Sequence, residues 1–348
     1  MNFNFFHLAI VKVTILGLLA VLFTSASVVV AQENEVAGES PSETGYVSAL
    51  DTIVVSSSRI EEEVREVTSN ITVLTEEEIN RSTAINLGRL LEQQGFQIEG
   101  YPGGGLRLNI RGIGQGTGST ELTSRVLILL NGRRIITNSM DFTGLANIER
   151  IEIIKGPAAL QYGPSAMGGV INVITKHGDD KFKGYAEVGF GSYNLNTEKA
   201  GFSGKIKDFD FSLGFMHTDQ NDYKTSYGWV WEHTQPGDTY NTNINMGYTF
   251  ADKHPIGIDY YYLLINEAEC PADEIPYYHP RPTYNDNFSK HDNQVSNIAF
   301  TYDGKTDGNK FLWSASYGTG KNRDNANWGN TFFEVDTVSG QVSYYPGG

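Results

Sequence analysis

Two glycine-rich stretches come nearest to known catalytic or nucleotide-binding motifs. GIGQGTG at 112–118 resembles a phosphate-binding loop in composition, but no Lys-Ser/Thr pair ends it and no apolar-periodic helix follows. In YGPSAMGG at 162–169, Met167 stands where a nucleophile elbow requires its second glycine. The sequence therefore argues against nucleotide binding and hydrolase chemistry, and the glycines around Gly163 are interpreted as sites of tight turns and close backbone approach.

Side chains that bind metals or act as nucleophiles are sparse. The seven His are scattered without ligand spacing, and the single Cys270 excludes a disulfide framework and a cysteine-rich metal site. A haem-binding alternative would use loop histidines such as His233 and His279. Since no catalytic constellation is present, we predict a protein that is not an enzyme and holds no cofactor or metal of its own.

The N-terminus indicates export. Residues 8–30 are predominantly apolar, interrupted mainly by Lys12, and Val29-Val30-Ala31 fits a small-residue cleavage site before Gln32. We predict a signal peptide over 1–31; the alternative is an uncleaved membrane anchor, because the apolar run is long enough to span a bilayer. A polar tether over 32–59 follows and carries one short β-prone run, DTIVV at 51–55.

Composition limits the partners. The net charge of −15 argues against nucleic acid as a partner. No later apolar run is long enough for a spanning helix, although a β-barrel would hide its spanning strands in alternation.

Residues 60–176 are predicted to form a compact α/β domain, a small mixed sheet with short helices. SNITVLT at 69–75 reads as a strand, and Thr75 with Glu78 matches a capping box that begins a helix. Residues 83–94 carry a helical apolar stripe that Gly95 ends. RVLILLNGRRI at 125–135 reads as a hairpin with an Asn-Gly turn, and 148–157 and 168–176 as two further strands.

From residue 181 the pattern changes to strand alternation. About seven strands are expected, near 181–192, 196–206, 208–218, 240–250, 255–266, 293–303 and 309–320. After a brief first connection, their connections alternate between short and long, which is typical of an outer-membrane barrel; the alternative is a soluble β-domain. Because a barrel wide enough for a plug needs about 22 strands, we predict that 177–348 is the N-terminal, truncated part of an incomplete antiparallel barrel.

These features together carry a resemblance. DTIVV, NIRG, VLILLNGRRI and IERIEIIKGPAALQYGPSAMGGVINVITK follow a signal peptide and precede barrel strands, an order that resembles TonB-dependent outer-membrane receptors of the siderophore and cobalamin type. The stretch 148–176 is its most specific part. The resemblance covers residues 1–176 strongly and 181–321 in pattern only. It implies location in the outer membrane, contact with outer-membrane lipid, and ligand-gated import.

The resemblance assigns roles to particular residues. It implies that Asp51, Thr52, Ile53, Val54 and Val55 are the TonB box, which binds periplasmic TonB, itself energised by an inner-membrane complex. A β-prone pentapeptide on a loose tether can add an edge strand to a partner's sheet; the alternative is that it is simply the first strand of the domain. Arg111 and Arg150 are expected to face the barrel wall, and the family suggests that Arg111 pairs with barrel carboxylates; the alternative for each is an exposed arginine.

Aromatic residues suggest where a ligand would bind. The long loops hold Tyr223, Tyr227, Trp229, Trp231, Tyr277 and Tyr278, and Tyr101 lies in a glycine-rich plug loop. They would stack on a large ligand or form the interfacial girdle that barrels need. Since both loops are acidic on balance, a neutral or cationic iron chelate or cobalamin fits better than a strongly anionic complex. The predicted cargo is a metal complex, most simply a ferric siderophore; cobalamin, haem or carbohydrate uptake, and a passive barrel or adhesin, are the alternatives.

Overall fold

The structure is a computed structural model. It describes residues 54–55, 62–63, 70–99, 106–110, 112–114, 125–135, 144–156, 162–224, 230–231, 238–251, 253–269, 290–306, 310–326 and 329–344. The predicted signal peptide and most of the predicted tether lie outside these residues. Within the described part of the chain, no helix is long and apolar enough to cross a membrane.

The described residues form two α-helices, two short 3₁₀ helices (Pro164–Ala166 and Ser192–Asn194) and twenty strands. The α-helices are α1 (Glu76–Arg81) and α2 (Leu87–Gln93). The strands are β1 (Val54–Val55), β2 (Glu62–Glu63), β3 (Asn70–Thr75), β4 (Gln97–Glu99), β5 (Arg107–Ile110), β6 (Ile113–Gly114), β7 (Val126–Leu130), β8 (Arg133–Arg134), β9 (Ile148–Lys155), β10 (Gly169–Thr175), β11 (Lys183–Gly191), β12 (Leu195–Ile206), β13 (Phe209–Asp219), β14 (Tyr223–Lys224), β15 (Val230–Trp231), β16 (Asp238–Phe250), β17 (His254–Glu269), β18 (Lys290–Lys305), β19 (Phe311–Ala326) and β20 (Gly329–Tyr344).

The described residues between 70 and 176, called the plug below, are built on a five-stranded mixed sheet. Its strand order is β3-β9-β10-β7-β8, with β10 and β7 parallel and the other neighbours antiparallel. A three-stranded sheet of β4, β5 and β6 accompanies it. The predicted small mixed sheet with short helices is therefore confirmed.

Local chemistry fixes the two helices as the sequence predicts. The Thr75 hydroxyl accepts from the Glu78 amide at 3.4 Å, while the Glu78 carboxylate accepts from the Thr75 amide at 2.8 Å, which completes the predicted capping box of α1. In α2 the apolar stripe of Leu87, Leu90 and Leu91 is fully buried. The chain leaves α2 through Gly95, whose φ of +80° suits a residue without a Cβ.

The plug core lies between its helices and sheet. Val126, Ile128, Ile151, Ile153, Ile171 and Val173 supply the strand contribution to one buried cluster. Side chains of the large sheet, among them Met216, Leu263 and Val295, belong to the same cluster. Apolar burial therefore joins the plug to the large sheet as well as closing the plug on itself.

The second part is an eight-stranded antiparallel sheet, called the wall below. Its order is β11-β12-β13-β16-β17-β18-β19-β20, so β11 and β20 are its edges. The predicted incomplete antiparallel sheet is confirmed, and it has eight strands, one more than the seven ranges expected, the additional strand being β20. Its apolar side chains alternate poorly: Phe332 and Phe333 are adjacent, and Val335 and Val338 fall on opposite faces.

The two faces of the wall differ in chemistry. The face turned away from the plug exposes apolar side chains, for example Phe202, Met246, Ile258, Phe300, Tyr317 and Val338. Towards the short-turn ends of the strands it carries aromatic contacts, among them Phe209–Phe211, Tyr248–Phe250, His254–Trp313 and Phe311–Tyr344. An apolar outer band bordered by aromatic rings is the surface that a barrel presents to lipid.

Candidate functional site

The predicted TonB box is only partly within the described residues. Asp51, Thr52 and Ile53 lie outside them. The backbone of Val54 and Val55 forms β1 and pairs antiparallel with Glu63 and Glu62 of β2. This end of the segment is therefore extended and backbone-paired, as a β-prone run should be, while its binding partner stays a prediction.

The predicted plug–barrel arginines are placed differently from each other. Arg111 lies outside the described residues. Arg150 lies on β9 with its side chain 16 % exposed, and its two ion pairs are with Glu149 and, at 3.0 Å from its Nε, with Glu152. Both carboxylates belong to the plug, and the expectation that Arg150 faces the barrel wall stays a prediction.

A plug-to-wall ion pair is made instead by Arg133, with Asp259 of β17. The two side chains are 15 % and 10 % exposed, so the pair is largely removed from water. Such a pair contributes little net stability because desolvation opposes the attraction, but it specifies register, and breaking it leaves a buried charge. Sequence reasoning missed it, although the predicted Asn-Gly turn already places Arg133 at a hairpin tip.

The turn that presents Arg133 is tightly fixed. Asn131 and Gly132 both have positive φ, 49° and 74°, as a two-residue hairpin turn requires. The Asn131 side chain accepts from the Thr175 amide at 2.9 Å, and the Gly132 amide donates to the Asn172 side chain at 2.9 Å. The neighbouring strand β10 thus holds the tip in place.

A row of asparagines on β16 holds the plug to the wall. The Ala146 amide donates to Asn241 at 3.0 Å, and the Asn243 amide group donates to the Ala146 carbonyl. Asn245 donates to the Thr175 hydroxyl at 2.8 Å and to the Lys176 carbonyl at 2.6 Å. Several of these bonds use plug backbone groups, so they depend on plug position more than on plug side-chain identity.

The loop that precedes β9 supplies further contacts. The Asn147 side chain donates to the Ser212 hydroxyl at 2.6 Å, and the Gly144 amide donates to the Tyr261 hydroxyl at 3.1 Å. Gly214 on β13 is packed so closely on Asn147 that a Cβ there would collide with it. Close backbone approach is thus the reason for glycine at position 214.

A buried charge lies inside the plug. Glu152 is fully buried and accepts from Arg150 and, at 3.3 Å, from the Asn172 side chain. Asn172 in turn accepts from Gly132, next to Arg133. Hydrogen bonds therefore connect the centre of the plug sheet to the hairpin tip that contacts the wall.

The chain between plug and wall carries a local ion pair. The Lys183 side chain donates to Asp179 at 2.5 Å, and this bond lowers the pKa of Asp179. Both groups are exposed, so the pair orders the entry to β11 without a large effect on stability.

The predicted ligand-contacting aromatics are mostly outside the described residues, namely Tyr101, Tyr227, Trp229, Tyr277 and Tyr278. Tyr223 and Trp231 lie directly opposite each other in the β14–β15 pair, within the connection from β13 to β16. Within the described part of the chain, no group of three or more His, Cys, Asp or Glu could hold a metal ion. The assignment of these aromatics to a ligand stays a prediction.

Comparisons with known proteins agree with this architecture. The family described as TonB-dependent Receptor Plug Domain matches residues 63–170. The vitamin B12 transporter BtuB of Photobacterium profundum is 31 % identical over 236 residues, covering 52 % of this chain and 38 % of that protein. The ferric enterobactin receptor PirA of Pseudomonas aeruginosa is 28 % identical and covers 66 % of this chain and 32 % of that protein. The chain thus spans less than half the length of these relatives.

Solved structures share the fold. The ferric yersiniabactin uptake receptor FyuA from Yersinia pestis superposes with a TM-score of 0.60 at 17 % identity, covering 80 % of this chain and 46 % of that chain. The siderophore receptor PiuA from Acinetobacter baumannii gives 0.61 at 15 % identity, covering 84 % and 44 %. Residues 63–170 therefore belong to the TonB-dependent receptor plug family, and the chain shares its plug-and-wall fold with outer-membrane receptors of known structure.

Proposed function

We propose that this protein imports a metal chelate or cobalamin across the outer membrane with energy delivered by TonB. The observation that carries the proposal is that hydrogen bonds and one ion pair hold the plug to a barrel-type wall. A β-prone segment on a polar tether precedes the plug in the sequence. Because no ATP is available at the outer membrane, energy has to reach the plug mechanically, through the segment Asp51–Val55. Signal peptide, tether and TonB box at 1–31, 32–59 and 51–55 are parts of this proposal.

Coupling to TonB would use backbone pairing. An extended segment can add a strand to an exposed sheet edge, where main-chain hydrogen bonds give affinity and alternate side chains give choice. The pairing of Val54–Val55 with β2 supports this reading, since it places part of the segment in strand conformation. Release of β2 would free the same backbone groups for TonB.

Two cargo classes have specific support. The named siderophore receptors among the structural neighbours, and the ferric enterobactin receptor PirA among the relatives, favour a ferric siderophore. The relatives named vitamin B12 transporter, at 31 % identity, favour cobalamin. The acidic, aromatic loops 221–238 and 270–288 suit a neutral or cationic complex of either class.

The test measures uptake of radiolabelled cyanocobalamin and of ferrioxamine B, a cationic ferric hydroxamate, by cells that express the protein from its own gene. Deleting Asp51–Val55 should abolish uptake of the imported probe, because TonB then has no strand to bind. The matched control deletes Gln32–Val36, five residues of the same predicted tether, and should leave uptake unchanged.

The outcomes separate the alternatives. Uptake that persists without Asp51–Val55 would establish a passive barrel or adhesin in place of an energised importer. A protein that imports neither probe would contradict both cargo classes. Replacing Ile53 with Pro, which removes one backbone donor and keeps the segment length, should reduce uptake as the deletion does.

A further inference from the structure

A titratable cluster lies on the face of the wall that is turned away from the plug. Strand alternation on β13 places Phe209, Phe211, Leu213 and Phe215 on this face, and His217 is the next residue there. From Phe209 to His217 the strand rises roughly 27 Å at about 3.4 Å per residue, or about 20 Å along the axis of a barrel with strands tilted by about 35–45°. Since the apolar band of such a barrel is about 25 Å tall, His217 lies near the border at the long-loop end.

His217 bridges two carboxylates on the neighbouring strands. Its Nδ1 lies 2.5 Å from a carboxylate oxygen of Glu198 on β12, and its Nε2 lies 2.5 Å from a carboxylate oxygen of Asp238 on β16. An ionised carboxylate only accepts hydrogen bonds, so both ring nitrogens have to donate, and only the imidazolium form carries two N–H groups. The bridge therefore depends on the proton that gives His217 its charge.

Tyr240 positions the second carboxylate. It lies directly opposite His217 in the β13–β16 register, and the two rings stack with centroids 4.5 Å apart. The Tyr240 hydroxyl donates to Asp238 at 2.9 Å. Asp219, the next residue of β13 on this face, brings a further negative charge near Tyr240. Among the described residues, the charged groups that face the imidazole from β12, β13 and β16 are thus carboxylates, which repel one another when the ring is neutral.

The cluster lies at the base of the connection 220–237, called the first loop below. β13 leads into this loop and β16 leaves it, so the contact of His217 with Asp238 joins its two stems. A second contact uses the backbone, where the Asn221 amide donates at 2.8 Å to the carbonyl of Tyr193 in the turn between β11 and β12. Since backbone groups do not titrate, only the His217 contact changes with pH.

We propose that His217 is a pH-dependent clamp at the base of the first loop, where its imidazolium joins β13 to β12 and β16 and so holds the β14–β15 pair in place. When the ring loses one proton as the pH rises, one nitrogen becomes an acceptor facing a carboxylate oxygen, and that contact changes from attractive to repulsive. The clamp is therefore closed while the ring is charged and opens at higher pH. Since Tyr223 and Trp231 of β14–β15 are predicted ligand contacts, cargo binding should weaken as the clamp opens, a consequence that rests on the proposed function.

Amide hydrogen exchange of the purified full chain in detergent tests the clamp without any cargo. Peptides that contain Asn221 and the β14–β15 pair are compared at about pH 6 and about pH 9, on either side of the range in which histidine titrates, after correction for the intrinsic exchange rate at each pH. Their exchange should be severalfold faster at the higher pH, because a hydrogen bond to a charged group is lost at a partly exposed site. In His217→Arg, whose guanidinium stays charged, exchange should remain slow at both pH values.

Two substitutions with the same side chain separate the clamp from a general effect of histidine. His217→Gln removes the charge, and the first-loop peptides should exchange fast at both pH values. His254→Gln is the matched control: this histidine begins β17 and its ring lies 3.3 Å from the Tyr302 hydroxyl, so its loss should preserve the pH dependence of the unaltered protein.

Three results would overturn the clamp: exchange in the unaltered protein that does not change with pH, a pH dependence that survives in His217→Arg, or its loss in His254→Gln. These measurements decide the clamp even where His217→Gln does not assemble. Failure to import cyanocobalamin or ferrioxamine B contradicts the proposed function instead, and the exchange results still stand.

Discussion

Asn245 offers a direct measure of how firmly the wall holds the plug. Its side chain is 2 % exposed and donates to the Thr175 hydroxyl at 2.8 Å and the Lys176 carbonyl at 2.6 Å. A typical hydrogen bond contributes about 0.5–1.5 kcal/mol net, so Asn245→Ala should lower the free energy of separating this part of the plug by about 1–3 kcal/mol. At about 1.4 kcal/mol per factor of ten, the separated state becomes roughly 5 to 150 times more populated.

Amide hydrogen exchange read by mass spectrometry reports this population. The Ala146 amide donates to the Asn241 side chain at 3.0 Å, and the Gly144 amide donates to the Tyr261 hydroxyl at 3.1 Å, so both plug amides lose their acceptors on the wall when the plug separates from it. Peptides that contain them should exchange faster in Asn245→Ala by the calculated factor, provided that exchange proceeds through this separation.

The control is Thr337→Ala, which lies in the same row but whose hydroxyl donates to Gly318 of the wall itself, at 3.3 Å. Exchange of the plug peptides should be unchanged in this variant. Unchanged exchange in Asn245→Ala, or an equal increase in both variants, would refute the assignment of Asn245 as a plug anchor.

Three further substitutions test other parts of the structure. Gly214→Ala should shift the plug or impair folding, because its Cβ would collide with the plug, whereas Gly340→Ala has room and should be tolerated; thermal unfolding in detergent distinguishes them. Glu152→Ala should lower the free energy of unfolding of the plug by roughly 2–4 kcal/mol, because it removes one of the two carboxylates that pair with the mostly buried Arg150. Faster cleavage of the plug by protease would report this loss. Phe300→Lys should impair outer-membrane assembly at a cost of about 2–4 kcal/mol, whereas Phe300→Leu should not, as gel mobility of the unheated protein would show.

Much of the plug could be predicted from sequence because its determinants are local. The capping box of Thr75, the Asn131-Gly132 turn and the apolar runs of β7 and β10 each depend on residues close in the chain. The sequence also indicates which residues share the plug-facing side of the wall, because strand alternation places Asn241, Asn243 and Asn245 on one face.

The contacts between plug and wall could not be predicted in the same way. Alternation shows which wall side chains share a face, but it does not show which plug element each one meets. Arg133 and Asp259 are 126 positions apart, and only the folded topology brings them together. Arg150 had the charge for such a contact, but Glu149 and Glu152 lie nearer on its own strand.

The chemistry of the plug–wall contact bears on how the plug can move. Among the hydrogen bonds that join described residues of the two parts, six between neutral groups contribute on the order of 6 kcal/mol, at about 1 kcal/mol net each. Water can replace such bonds as the surfaces part, whereas separating apolar surfaces costs about 25 cal/mol for every Å² exposed. The apolar contacts of Met216, Leu263 and Val295 therefore raise the cost of complete removal of the plug. A displacement that keeps these apolar contacts and breaks only polar bonds therefore requires less work than expulsion of the whole plug.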